Sequence, residues 1–320
     1  MNHHFPAFIR APALAGVLLS VALLLSACAT PPQLSQLEQD WPADVPVRTE
    51  LKQVPFYPQE DYECGPAALA MAATAAGVSL RPEQLVEQVY LPGRKGALQQ
   101  EMLAAGRRQG LLSYVLAPRL EAVLREVAAG HPVIVFQNLS LPLYPVWHYA
   151  VVVGYDRDQG LLRLHSGRSE RMDMSLSTFE RTWARGAHWA MVALLPQHLP
   201  VTAEPDAHAA AAAALERVQP QAAAVAYTRG LQAWPGHRAD LLGVGNAAYA
   251  LGQRERAAMA YRQAVQIHPD FADAWNNLAQ VLLEQGRKRE ARQAVAKAVA
   301  LGGPRLSRYL ELQASIQPKK

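Results

Sequence analysis

Cys64 and His148 are the side chains in this sequence whose types and settings suit nucleophilic chemistry. Cys64 precedes Gly65-Pro66-Ala67-Ala68, a small-residue run that predicts a helix to Ala76. Pro66 falls in its first turn, where a missing N–H costs nothing, and Gly77 suits its end. Backbone N–H groups and the helix dipole at such a start favour a thiolate. Burial as a packing residue is the ordinary alternative for a lone cysteine. His148 opens the run His148-Tyr149-Ala150-Val151-Val152-Val153-Gly154-Tyr155-Asp156, which predicts a strand. An imidazole at a strand mouth, facing a thiol at a helix start, takes the thiol proton and later delivers one to a leaving amine.

The flanking residues are more specific. Gln59, Glu63, Cys64 and Gly65, within the segment from Val54 to Met71, follow one another in an order that resembles the active-site segment of the C39-like cysteine peptidases. These are relatives of the papain fold and include the bacteriocin-leader peptidases. The strand from His148 resembles the family's base-carrying His-x-Val-Val-Val-x-Gly strand. The resemblance spans residues 48–197 and implies a papain-like domain that hydrolyses peptide bonds, with Cys64 as nucleophile and His148 as base. It also implies that Gln59 and the Cys64 backbone N–H donate to the oxyanion. The third position departs from the family pattern. Where an orienting Asp is usual, this sequence reads Leu164-His165-Ser166-Gly167. Ser166 aligns with the Asp but brings no negative charge to an imidazolium. His165 is the alternative orienting group, with Glu170 and Asp173 as more distant substitutes. Asp156 stands at the far end of the His148 strand, roughly 26 Å away when extended, which is too far.

Elements must bring these residues together. Helical patterns cover 81–89, 98–109 and 119–129, and strand-like runs cover 132–137, 148–155, 161–165 and 188–195. Asp156-Arg157-Asp158-Gln159-Gly160 predicts a hairpin turn. Helices first and an antiparallel sheet later make an α+β domain. From Glu204 the sequence is almost wholly helical and repeats. Trp275, Leu278, Ala279, Leu282, Gly286, Ala291, Val295 and Ala298 recur 34 residues earlier as Leu241, Val244, Gly245, Ala248, Gly252, Ala257, Tyr261 and Ala264. This period resembles the tetratricopeptide repeat and implies an all-α solenoid. Its units are 204–237, 238–271 and 272–305, and a capping helix follows to residue 316. Such a groove implies a protein partner. Asn246, Tyr249, Asn276 and Gln280 are its candidate lining residues, with plain solvation as the alternative for each.

At the start of the chain, Arg10 precedes the apolar run Leu14 to Leu25 and then Ser26-Ala27-Cys28. The run is short of the roughly 20 residues of a spanning helix, and residues 1–27 read as a secretory signal segment. Leu25-Ser26-Ala27-Cys28 resembles a bacterial lipobox, which implies cleavage before Cys28 and lipidation of its thiol. Ala29 at the next position implies the outer membrane, facing the periplasm. Residues 28–47, rich in Pro, Gln and Ser, read as a tether. The 320-residue chain is 50% hydrophobic and carries a net charge of +4 without a Lys/Arg stripe, so it has no nucleic-acid footprint. Two cysteines exclude a disulfide scaffold and a cysteine-rich zinc module. No metal or cofactor is expected, since neither metal-ligand spacing nor a phosphate-cradling Gly loop is present. The expectation is a lipid-anchored envelope cysteine peptidase acting on a peptide or protein substrate. The alternatives are a non-catalytic peptide-binding scaffold on a degenerate peptidase fold, and another Cys-His acyl-transfer enzyme such as an amidase or transpeptidase.

Overall fold

The computed structural model describes residues 30–59, 63–94 and 96–316. The expected signal segment and the expected lipidation site Cys28 lie outside the described residues. The first region, to about residue 203, mixes strands and helices. Its strands are β1 (Arg48–Glu50), β2 (Tyr90–Leu91), β3 (Gly96–Ala97), β4 (Leu112–Val115), β5 (Val133–Asn138), β6 (Trp147–Asp156), β7 (Leu161–Ser166), β8 (Ser169–Ser175) and β9 (Ala190–Leu194). Its helices are α1 (Pro32–Gln39), α2 (Cys64–Ala75), α3 (Val86–Val89), α4 (Gln99–Arg108), α5 (Leu120–Ala128) and α6 (Leu176–Arg185).

Seven strands form one antiparallel sheet in the order β4-β9-β5-β6-β7-β8, with β1 also paired to β6. β2 and β3 form a separate hairpin. Every residue of β6 from Tyr149 to Asp156 is buried, so both faces of this strand are covered, and a continuous run of Val suits such a position. Helix α2 packs on β6 through small residues buried from Gly65 to Ala73. A Cβ at Gly65 would stand 2.7 Å from that of Ala97, so the residue after Cys64 must be small for β3 to approach. The expected helix over 81–89 is reduced to a turn at Pro82–Gln84 and the single turn of α3. The expected strand from His188 begins instead at Ala190. Ala187 and His188 hold left-handed backbone (φ 56° and 51°), which cannot continue a strand.

The tether expected over residues 28–47 is corrected. Residues 32–39 form α1, and Leu34, Leu37 and Val45 are buried in the core of the sheet region. The buried carboxylate of Glu180 on α6 accepts the N–H groups of Gln33 (2.9 Å) and Leu34 (2.7 Å). An acid at a helix start satisfies orphan donors and meets the positive end of the dipole. The Gln33 side chain in turn accepts the Leu120 N–H at 2.6 Å, at the start of α5.

The second region is a row of helices: α7 (Pro205–Glu216), α8 (Pro220–Ala233), α9 (Arg238–Ala250), α10 (Arg254–Ile267), α11 (Ala272–Glu284), α12 (Lys288–Leu301) and α13 (Leu306–Ile316). They pair as three hairpins followed by one helix. Gly243 lies under the Tyr227 ring and Gly245 under the Tyr261 ring, so closely that a Cβ at either would penetrate the ring. This is the small-against-large contact that the 34-residue pattern encodes. The first hairpin packs on edge strand β4. Leu112 shares a cluster with Ala212, Leu215 and Ala223, and the Glu204 N–H donates to the Tyr114 hydroxyl oxygen at 3.1 Å. Among the described residues no helix is long and apolar enough to cross a membrane.

Two stability predictions follow from the repeats. Gly245→Ala should lower stability by about 1–3 kcal/mol, because overpacking against Tyr261 outweighs the gain in helix propensity. A shifted urea midpoint checks this. His208 is fully buried, both ring nitrogens lack hydrogen-bond partners among the described residues, and burial lowers its pKa to about 4 from the usual 6.5, helped by nearby His237 and Arg229. The unfolded chain therefore binds a proton that the folded chain refuses. The stability from neutral His208 is full above pH 6.5 and is lost as pH falls toward 4. His208→Leu should flatten the loss of stability between pH 7 and pH 5, read from urea midpoints at both values.

Candidate active site

Cys64 is the first residue of α2 and His148 the second residue of β6. Both line one cleft of about 1030 Å³, together with Gln59, Leu98, Phe136, Trp147 and Arg168. Burial pushes the Cys64 thiol up. The backbone N–H groups of Tyr149, Gly65 and Cys64 itself point at the sulfur and act against that rise. The Tyr149 amide belongs to the residue after His148, which seats the sulfur against the mouth of β6. Burial lowers His148 to about 4, with no charged partner to oppose it. At neutral pH the pair is thus an uncharged thiol and an uncharged imidazole.

Of the two candidates for the third position, Ser166 is the one that contacts the His148 ring. His148 Nε2 and Ser166 Oγ share a hydrogen bond of 2.9 Å, and Ser166 is buried at the end of β7. His148 Nδ1 has no hydrogen-bond partner among the described residues. His165 is corrected out of this role. Successive strand residues point to opposite faces, and the ring nitrogens of His165 engage the backbone carbonyls of Val54 (3.2 Å) and Glu170. Its ring meets Phe56 edge-on. Asp173 and Asp156 are also engaged elsewhere. Asp173 accepts from Arg163 at 2.9 Å, and Asp156 accepts the Gln159 N–H at 3.0 Å in the hairpin turn. Gln59 is buried on the cleft wall. Its backbone N–H donates to the Gly167 carbonyl at 3.0 Å, and its side-chain Nε2 lies 3.5 Å from the Tyr149 carbonyl. A bond that long leaves the amide donor poorly satisfied.

Several cleft residues escaped sequence reasoning. The Trp147 ring stacks on Phe136 with centroids 5.0 Å apart and planes 10° from parallel. Arg185 lines the same cleft and donates through Nε to the Asn138 carbonyl at 3.2 Å. Trp147 carried a legible signal, since it immediately precedes His148.

In the repeats, Asn246, Tyr249 and Gln280 come together around a cavity of about 260 Å³, with Glu216, Tyr261 and Asn277. Asn246 Oδ1 accepts from the Tyr261 hydroxyl (2.8 Å) and from Asn277 Nδ2 (3.1 Å). Gln280 donates to Glu284 at 2.8 Å, and the Arg254 guanidinium lies 4.1 Å over the Tyr249 ring. Asn276 is not part of this group. One step along a helix turns a side chain by about 100°, so Asn277 takes the expected place and Asn276 Oδ1 is buried without a partner.

The model of the Peptidase_C39 like family matches residues 51–190, and two tetratricopeptide-repeat models match residues 245–286 and 272–301. A search of curated proteins gives no match. Three solved structures are similar over parts of the chain. The Sgt2 TPR domain from Aspergillus fumigatus is 26% identical, covers 36% of this chain and 79% of its own, and has a TM-score of 0.33. The MamA protein is 16% identical, covers 35% of this chain and 62% of its own, and has a TM-score of 0.32. A proposed C39-like peptidase from Bacillus anthracis is 17% identical, covers 46% of this chain and 97% of its own, and has a TM-score of 0.39. Residues 51–190 thus match the model of the Peptidase_C39 like family, and the helical region that follows carries tetratricopeptide repeats.

Proposed function

We propose that this protein is a lipid-anchored cysteine peptidase of the cell envelope, with repeats that bind a substrate or partner protein. One observation carries the reading. A thiol at a helix start and an imidazole held by a buried hydroxyl share a single cleft in a C39-like domain. In the proposed reaction His148 Nδ1 takes the Cys64 proton while Nε2–H donates to Ser166 Oγ. The sulfur bonds to the substrate carbonyl carbon, and the carbonyl oxygen becomes an oxyanion. Gln59 Nε2 and the Cys64 backbone N–H are its proposed donors. The imidazolium returns the proton to the amine as the C–N bond breaks, and water then hydrolyses the thioester. Because the resting pair is uncharged, His148 acts as a general base during attack rather than holding a preformed thiolate.

The anchor belongs to the same proposal. The signal segment and the lipobox-like Leu25-Ser26-Ala27-Cys28 support acylation at Cys28 and an outer-membrane position facing the periplasm. The cavity at Asn246, Tyr249, Asn277 and Gln280 supports contact with a peptide segment of a protein partner.

The want of a carboxylate at His148 favours a second reading, a peptide-binding domain that has lost catalysis. Hydrolysis of a peptide library by the protein, falling about 10³-fold or more in both Cys64→Ala and His148→Ala, is the outcome expected of the peptidase. Equal silence of all three, with Cys64 unlabelled by a thiol-reactive peptide probe, would falsify it. Ser166→Asp tests the electrostatics directly. A carboxylate on Nε2 raises the His148 pKa and lowers that of Cys64. Iodoacetamide should therefore alkylate Cys64 at pH 7 about tenfold faster or more than in the parent chain.

A further inference from the structure

The loop between β5 and β6, with the first residue of β6, reads Leu139-Ser140-Leu141-Pro142-Leu143-Tyr144-Pro145-Val146-Trp147 and carries no charge. Among the described residues, fifteen large hydrophobic side chains are exposed, and six of them fall in these nine positions. The others are scattered, as single exposed apolar residues ordinarily are. Leu143 is 78% exposed, Tyr144 73% and Leu141 65%. A contiguous apolar patch of this kind marks a contact with something outside the chain.

The position of the patch separates two occupants. Val146 and Trp147 line the catalytic cleft, so a bound peptide would reach them. Leu141, Leu143 and Tyr144, the most exposed of the six, do not line it. A substrate seated in the cleft leaves them in water. Their composition matches a bilayer interface, where Leu enters the acyl boundary and Tyr and Trp sit at headgroup level. Arg168 is exposed and Arg185 is half-buried in the adjoining cleft, where cations suit anionic headgroups.

The start of the chain sets where a bilayer would lie. Pro31 is buried, and α1 is clamped from Gln33 onward by Glu180. Three residue steps separate Cys28 from Pro31, a reach of at most about 11 Å. An acyl group on Cys28 would therefore hold this domain against the membrane. Helix α6 joins the two features: Glu180 grips α1, and Arg185 binds Asn138 at the root of the loop. Five residues of helix separate them, about 7.5 Å along its axis.

We propose that the loop from Leu139 to Trp147 is a membrane-contact element that dips into the bilayer surface, so that the catalytic cleft opens along the membrane. This rests in part on the anchor proposed at Cys28, and the test keeps the two apart. The full chain is reconstituted in phosphatidylethanolamine–phosphatidylglycerol vesicles, with or without brominated acyl chains, and tryptophan fluorescence is read. Brominated lipid should quench the parent protein. Trp147→Phe should lose about half of that quenching or more, because Trp147 is the one tryptophan at the proposed interface. Leu143→Asp with Tyr144→Asp should lose it to the same extent, with an unchanged urea midpoint. Quenching that is the same in Trp147→Phe overturns the proposal. So does a concentration-dependent dimer that Leu143→Asp dissolves while Trp147 escapes brominated lipid, since the patch then covers a second copy. Mass spectrometry of Cys28 reports the anchor separately. An acylated protein with unquenched Trp147 defeats the loop alone. A Cys28→Ser chain whose Trp147 is still quenched by vesicles supports the loop without the anchor.

Discussion

The peptide groups on either side of Tyr149 tie together the segments that carry Cys64, Gln59 and His148. The Tyr149 N–H points at the Cys64 sulfur, and its carbonyl lies within reach of the Gln59 amide. His148 is its neighbour in β6. Tyr149's own ring is buried against Phe136 and Trp189, and its hydroxyl donates to the Ala97 carbonyl at 3.3 Å. Ala97 in turn packs on Gly65, the residue after Cys64. The path returns to its origin through α2, so four segments distant in sequence are fixed by contacts with one strand residue. Side chains mounted on a buried strand and on the first turn of a buried helix have little freedom, which suits groups that must meet in one geometry.

Desolvation sets the electrical state of that geometry. Burial opposes charge on both Cys64 and His148, raising one and lowering the other. An orienting carboxylate would reverse this bias by stabilising an imidazolium, whereas the Ser166 hydroxyl fixes the ring without a net charge. The arrangement therefore keeps orientation and gives up most of the electrostatic activation. The thiolate is also the species that oxidants attack, so an uncharged resting thiol is the less vulnerable form.

The parts of the fold legible in the sequence were those with a strong period or punctuation. α2 was readable from its small residues and Gly77, β6 from its valine run, and the repeats from 34-residue recurrence. The Cys64–His148 pair was readable because both sit at the mouths of those elements. Other parts were hidden for identifiable reasons. β8 is an exposed, polar edge strand, which lacks the hydrophobic alternation that marks a strand. The apolar residues of α1, Leu34 and Leu37, stand at helical spacing but among Pro and Gln, and the acid that caps the helix comes from Glu180, far along the chain. The choice between His165 and Ser166 depends on which face of β7 each occupies, and pairing decides that. β7 shows a register irregularity against β8 between Leu164 and Ser166, so local alternation alone did not identify the residue that reaches His148.

Leu112 belongs to strand β4 of the sheet, yet it is buried in a cluster made mostly of first-repeat residues. The boundary between the two regions is therefore not a seam along which the chain comes apart cleanly. Removing everything from Pro205 onward would strip the cover from Leu112 and leave β4, with its unpaired edge, open to other strands. The repeats thus act as a folding partner of the sheet domain as well as a surface of their own. Recombination that exchanged the solenoid for another module would have to supply a replacement for Ala212, Leu215 and Ala223 at the same edge.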